Sequence, residues 1–95
     1  MKHIEITWDE NKNISNQKKH NISFEEAKTV FYDDYARLIH DPEHSESEDR
    51  FILLGLSSQL KLLVVVHAYR DQDEIIRIIS ARRATKTESK YYTTR

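Results

Sequence analysis

The sequence predicts an α+β fold, an antiparallel sheet of about four to five strands with two N-terminal helices and a C-terminal helix. Three observations lead there. Between Arg50 and Arg83 lie three strand-length apolar runs separated by turn-length polar stretches. Ser23-Phe24-Glu25-Glu26 and Thr85-Lys86-Thr87-Glu88 have the form of capping boxes, which open helices before and after those runs. The 95 residues are enough for one hydrophobic core, so residues 1–95 are expected to form a single domain.

The elements follow in order. His3 to Trp8 alternates in character and is rich in β-branched and aromatic residues, which reads as a half-buried strand. Asp9 can cap a helix over Glu10 to His20. Ile14 is its one apolar residue, so that helix should lie on the surface or pack through its ends. The Ser23 box starts a second helix whose Phe24, Ala27, Val30 and Phe31 form a core stripe. Tyr35 to His40 can form a short strand before Pro42, which has no N–H for a ladder. Arg50 to Leu56 and Leu60 to Tyr69 are strands joined by Ser57-Ser58-Gln59. The unbroken run Leu62 to Val66 requires cover on both faces, as in a central strand. Asp71-Gln72-Asp73 is a turn, and Ile75 to Arg83 returns antiparallel. The Thr85 box then opens a final helix carrying Tyr91 and Tyr92.

Composition narrows the chemistry. The chain has no cysteine, which removes disulfides and thiolate metal sites and fits a cytoplasmic location. Its longest apolar run is too short to span a bilayer, and the N-terminus has no apolar signal core. Gly55 is the only glycine, so glycine-rich phosphate loops are absent. His40 and His44 stand four apart among carboxylates, but Pro42 between them disfavours the helix that would bring them together, so no metal site is assigned. Net charge is −1, yet unevenly spread. Residues 33–50 hold seven acids against Arg37 and Arg50, while residues 70–95 hold seven bases against four acids. Those two regions could pair or face different partners.

Candidate functional residues follow from the cations. The run Ile75 to Arg83 is a buried strand that ends in Arg82 and Arg83, and guanidinium groups on a rigid element suit the orientation of a phosphate. Lys12, Asn16 and Lys19 or His20 recur at helical spacing and could present cations and a donor on one face; the plainer reading is a solvated helix face. His67 and Arg70 put polar chemistry at the far end of the central strand. In the hairpin, Arg70 and Arg82 fall at opposite ends of adjacent strands.

These residues resemble a known family. Trp8-Asp9, Lys12, Asn16, Lys19-His20, Ser23-Phe24-Glu25-Glu26-Ala27, Phe31, Asp33, Glu48, Arg50, Gly55, Arg70, Arg77-Ile78-Ile79-Ser80-Ala81-Arg82, Ala84 and Glu88 follow the BrnT pattern nearly end to end. Asn21 stands where the family often has glycine, and asparagine tolerates the left-handed conformation. The resemblance implies a toxin of a type II toxin–antitoxin system with a RelE/ParE-like fold. It implies a metal-independent endoribonuclease that needs no cofactor, inhibits translation and is neutralised by a ribbon-helix-helix (BrnA-like) antitoxin. Such enzymes use the RNA 2′-hydroxyl as nucleophile, which calls for a proton acceptor and for cations on the phosphate. The implied catalytic set is His20, His67, Arg70 and Arg82. Lys12, Lys19, Arg50, Arg83 and Lys86 would bind RNA, with Tyr91 or Tyr92 stacking on a base. Arg77 reads as a core residue paired with a carboxylate such as Glu48, and His3, His40 and His44 as surface residues. A different class of answer is a non-catalytic RNA- or protein-binding module that uses the same basic surface.

Overall fold

The computed structural model describes residues 4–41, 49–70, 72 and 74–93. Strands β1 (Glu5–Trp8), β2 (Arg37–Asp41), β3 (Arg50–Leu56), β4 (Leu62–Arg70) and β5 (Ile75–Arg83) form one sheet in the order β1-β5-β4-β3-β2. Helices α1 (Glu10–His20) and α2 (Phe24–Thr29), the latter continued by a 3₁₀ turn over Val30–Tyr32, connect β1 to β2, and α3 (Lys86–Thr93) follows β5. Strands β2 to β5 form the expected antiparallel meander. β1 instead runs parallel to β5, with Glu5 opposite Ile75 and Trp8 opposite Ile78, so the sheet is mixed. No hairpin joins these two strands. The chain leaves β1 through α1 and α2 to the far edge of the sheet, so no tight turn dictates the direction of β1.

Strand β4 is covered on both faces, as its unbroken apolar run requires: Leu63, Val64 and Val65 are all buried. One face carries the main core, where Leu53, Leu63, Val65, Ile78 and Ala81 pack against Ile22, Phe24, Ala27 and Val30. Each of the Leu, Ile, Val and Phe side chains among them gains about 1.5–3 kcal/mol from full burial. The α2 stripe is therefore core. Leu60, expected in β4, lies instead in the preceding turn at φ 63° and is exposed.

Strand β5 departs from simple alternation. Ser80 pairs with Val66 and Ile78 with His67, so Ile79 is an extra residue with no cross-strand partner, a β-bulge. The bulge resets the pleat, which is why Ile78 and Ala81, three apart, both enter the core.

Helix α1 is almost wholly polar, and two asparagines anchor it. Asn13 and Asn16 are buried. Asn16 Nδ2 donates to the carbonyls of Ile22 and Ala81, both at 2.8 Å, and its Oδ1 accepts from the Ala81 N–H at 3.1 Å. β1 pairs with β5 only as far as Ile78, so the Asn16 amide supplies the pairing that β1 no longer gives Ala81. The expected surface face of Lys12, Asn16 and Lys19 is thus divided: Asn16 is an internal anchor, whereas both lysines are exposed. Asn13 Oδ1 accepts from the Phe24 N–H, fixing the start of α2. Asn21 closes α1 at φ 58°, the left-handed conformation expected of it.

The Ser23 box is half formed. Ser23 Oγ accepts from the Glu26 N–H, but the Glu26 carboxylate turns inward to accept from Ser57 Oγ at 2.7 Å and from Lys61 Nζ at 3.3 Å. Gly55 allows the 3₁₀ turn to pack directly on β3; a Cβ there would lie 2.7 Å from Val30 Cγ1 and 2.9 Å from Ala36 Cβ. No helix among the described residues is long and apolar enough to cross a membrane.

Two substitutions test this account. Gly55→Ala is expected to destabilise by about 1–3 kcal/mol through overpacking. Asn16→Ala strands three buried backbone groups, each costing about 1–3 kcal/mol. The thermal midpoint of Asn16→Ala, followed by circular dichroism, should therefore fall by more than about 10 °C, and an unchanged midpoint would refute the anchoring role.

Candidate functional site

The sheet face opposite α1 and α2 carries five arginines. Alternation from the core residues Leu53, Val65, Ile78 and Ala81 sends Arg50, Arg70, Arg77 and Arg82 to that other face, and the β2–β3 register sends Arg37 there too. Two cross-strand rows result. Arg50, Ala68 and Arg77 stand side by side on β3, β4 and β5, which puts the two arginine Cα atoms about 10 Å apart across an alanine floor. Arg37, Leu54, Val64 and Arg82 form the second row, from β2 to β5. Arg70 lies beyond the first row, opposite Ile75, about 20 Å along the strands from Arg82. The expected separation of Arg70 from Arg82 is therefore present. Arg77, expected to serve the core, shares the outer face and is only partly buried, because the Ile79 bulge brings it into phase with Arg82.

Helix α3 closes one end of this face. Arg82 donates to both oxygens of Glu88, from Nη1 at 2.9 Å and Nη2 at 2.8 Å, and from Nη1 to the Arg83 carbonyl at 3.2 Å. Glu88 is held at about 2, first by the hydrogen bond from Arg82. The Thr85 box is complete: Thr85 Oγ1 accepts from the Glu88 N–H, and Glu88 Oε1 accepts from the Thr85 N–H. At the other end of α3, Tyr92 donates its hydroxyl to Asp33 Oδ2 at 2.7 Å. That oxygen also takes the Leu56 N–H, while Oδ1 takes the Tyr35 N–H. Burial pushes the Asp33 carboxyl up, but these hydrogen bonds outweigh it and hold Asp33 below its ordinary range. Tyr91 is exposed and lines a cleft of about 470 Å³ with Tyr35, Ala36, Arg37, Leu38 and Ile39. Of the two expected stacking residues, Tyr91 faces the cleft and Tyr92 is tied to Asp33.

The remaining candidates lie elsewhere. Lys12, Lys19 and the half-buried His20 belong to α1, which packs on the opposite side of the sheet. The exposed Arg83 alternates to that helix side as well, and Lys86 is exposed on the first turn of α3. His67, expected as a candidate base, is 0 % exposed. Its ring sits among Phe31, Phe51 and Tyr69, with centroids 4.9, 6.3 and 5.3 Å away. Its Nδ1 donates to the Val65 carbonyl at 3.1 Å, and Nε2 is buried without a partner. From there the imidazole cannot touch an RNA on the arginine face, since the sheet lies between. Glu48 and His44 lie outside the described residues. Two features were missed in the sequence: the shared face of Arg77 and Arg82, hidden by the bulge, and the Arg82–Glu88 pair, whose signal was a capping-box glutamate six residues after an arginine.

Burial pushes the His67 imidazole below its ordinary value of 6.5, and its hydrogen bond to Val65 opposes this only in part. The folded state then binds fewer protons than the unfolded state, so stability should fall as pH drops below about 6.5. Urea denaturation at pH 7.5 and at pH 5.5 should show a smaller drop for His67→Leu than for the wild type. Equal drops would remove His67 as the cause.

A family model described as "Ribonuclease toxin, BrnT, of type II toxin-antitoxin system" matches residues 8–88. Among solved structures, the chain is similar to the 1.1 Å crystal structure of the Brucella abortus ribonuclease toxin BrnT. Identity is 25% and the TM-score 0.65, with 87% of this chain and 99% of that chain covered. No curated protein sequence matches it. The family model spans most of the chain and the fold agrees with that of the crystal structure, so this chain belongs to the BrnT family of ribonuclease toxins of type II toxin–antitoxin systems.

Proposed function

We propose that this protein is a metal-independent endoribonuclease that binds RNA along the arginine face, cleaves it with the RNA 2′-hydroxyl as nucleophile, and so inhibits translation in the cytoplasm. The observation that carries this reading is the set of five arginines, Arg37, Arg50, Arg70, Arg77 and Arg82, on one face of a rigid sheet. As the 2′-oxygen attacks the phosphorus, its proton passes to solvent water and the P–O5′ bond breaks, the 5′-oxygen leaving with a proton from water and a 2′,3′-cyclic phosphate remaining. Fixed guanidinium groups stabilise the negative charge that builds on the phosphate without reorganising. Arginine cannot lose its proton at neutral pH, so it supplies charge and donors throughout the reaction. On this reading catalysis is chiefly electrostatic, with Arg82 and Arg70 on different phosphates and Tyr91 beside the strand as a stacking surface. On this reading neither histidine acts as the base, since His20 lies on the helix side and His67 is buried among aromatic rings. Lys12, Lys19, Arg83 and Lys86 then contribute general attraction to the backbone.

The inhibitory partner is read as a small ribbon-helix-helix antitoxin, whose acidic or apolar segment would cover the same cations and exclude RNA. Type II systems pair a toxin with a protein antitoxin, which supports the pairing but leaves the antitoxin fold as our proposal.

The test is cleavage of total RNA by the purified protein in the presence of a chelator. We expect cleavage, and we expect Arg82→Ala to slow it by about 10²-fold or more. RNA left intact under all conditions, with retained RNA binding, would leave the non-catalytic module in its place.

A further inference from the structure

Arg82 spends only part of its guanidinium on the protein. Nη1 donates to Glu88 Oε1 and to the Arg83 carbonyl, and Nη2 donates to Glu88 Oε2. A guanidinium holds five N–H donors in a fixed plane. The three bonds engage the end of the fork and leave the Nε–H and the second Nη2–H, which lie along one edge of the same plane. That edge is itself a two-pronged donor of the kind that grips two phosphate oxygens. The Arg82 side chain is 41 % exposed, so a ligand can reach it.

Glu88 is fixed in its turn. Its Oε1 accepts from the Thr85 N–H at 2.8 Å while its own N–H donates to Thr85 Oγ1 at 3.1 Å, so its carboxylate cannot swing away without opening the cap of α3. An incoming phosphate would have to displace this locked carboxylate to take the end of the fork, whereas the side edge is open. The same pairing restrains a long side chain that would otherwise sample many rotamers, and so lowers the entropy lost when phosphate binds.

We infer that Glu88 is a positioning residue of the ribonuclease reaction: it holds the end of the Arg82 guanidinium so that the Nε–Nη2 edge faces the phosphodiester. This inference rests on the ribonuclease reading above and adds to it the residue that aims Arg82. Glu88 itself does not touch the RNA. The chain of cause runs from a four-residue capping box, through a carboxylate with a fixed rotamer, to the direction of a guanidinium on β5.

The experiment is steady-state cleavage of a short RNA by the full chain, comparing wild type with Glu88→Gln, Arg82→Ala, Arg82→Lys and the double variant Glu88→Gln/Arg82→Ala. Glutamine keeps the shape of Glu88 but turns an N–H₂ group toward Nη1 or Nη2. We expect Glu88→Gln to lower kcat about tenfold to a hundredfold, with KM within about twofold of wild type. In the Arg82→Ala background Glu88→Gln should change nothing further, because its effect passes through Arg82. Arg82→Lys should stay as slow as Arg82→Ala, since an ammonium can satisfy Glu88 but has no second edge. Leu53→Val, a core truncation on the helix-side face of β3, controls for mere loss of stability and should leave kcat unchanged. Undiminished or faster cleavage by Glu88→Gln, or an equal further loss in the Arg82→Ala background, would overturn the inference while leaving the ribonuclease reading intact. Failure of the wild type to cleave RNA would overturn the ribonuclease reading and this inference with it.

Discussion

A single extra residue in β5 decides which side chains share a face. Arg77 and Arg82 are five positions apart, and in an evenly pleated strand they would point to opposite sides of the sheet. Ile79 has no partner across β4, and that break in register returns Arg82 to the side that Arg77 already faces. The same break lets Ile78 and Ala81 both reach the core. Without it, satisfying the core at Ala81 would turn Arg77 under the helices, or satisfying Arg77 would leave the core one residue short. The bulge therefore reconciles an apolar requirement on one face with a cationic requirement on the other.

The strand that carries these arginines needs support beyond its neighbours. β1 accompanies β5 only from Ile75 to Ile78, and past that point one side of β5 would present bare backbone donors and acceptors. An unpaired buried amide or carbonyl costs about 1–3 kcal/mol. Asn16 meets both groups of Ala81 with one side-chain amide, so a helix with almost no apolar residues still docks firmly. Beyond Ala81 the burden passes to α3, where Glu88 and the Thr85 cap secure Arg82. Rigidity along β5 thus comes in succession from a strand, a buried asparagine and a capping box. Each lies one step closer to the cationic end.

Much of the fold could be read in the sequence, because its local signals and its tertiary demands coincide. The unbroken Leu62 to Val66 run announces a strand buried on both faces, and β4 is one. Thr85 and Glu88 announce a helix start, and both halves of that box form. Where the two levels part, pattern reading fails for a physical reason. Ser23 and Glu26 make an equally good box on paper, yet only the serine half forms, because the Ser57 hydroxyl and Lys61 offer the buried carboxylate better partners than the Ser23 N–H. Asn16 looks like a surface donor because no periodicity distinguishes a buried asparagine from an exposed one. The arginine face was legible as residue types but not as a face, since a bulge leaves no mark in a run of isoleucines. His67 illustrates the converse: its neighbours in sequence are polar, but its neighbours in space are Phe31, Phe51 and Tyr69.

The spread of the cations has a consequence for recognition. Arg70 and Arg82 are about 20 Å apart along the sheet, which is too far for one phosphate, so an RNA held by both must lie along the strands and engage successive phosphates. Contacts of arginine with phosphate carry charge and position but no base identity. Binding built on them should be strongly salt-dependent and tolerant of sequence. Any preference for particular bases must then come from features beside the arginine rows. The cleft formed by Tyr91, Tyr35 and the β2 residues around Arg37 offers aromatic surface adjoining a cation, which suits an unstacked base. Cleavage position would thus be set where backbone tracking and base stacking meet, near the end of the sheet that α3 closes. The same end holds the Arg82–Glu88 pair, so a guanidinium held by two hydrogen bonds to a capped carboxylate lies where the RNA would be most closely positioned.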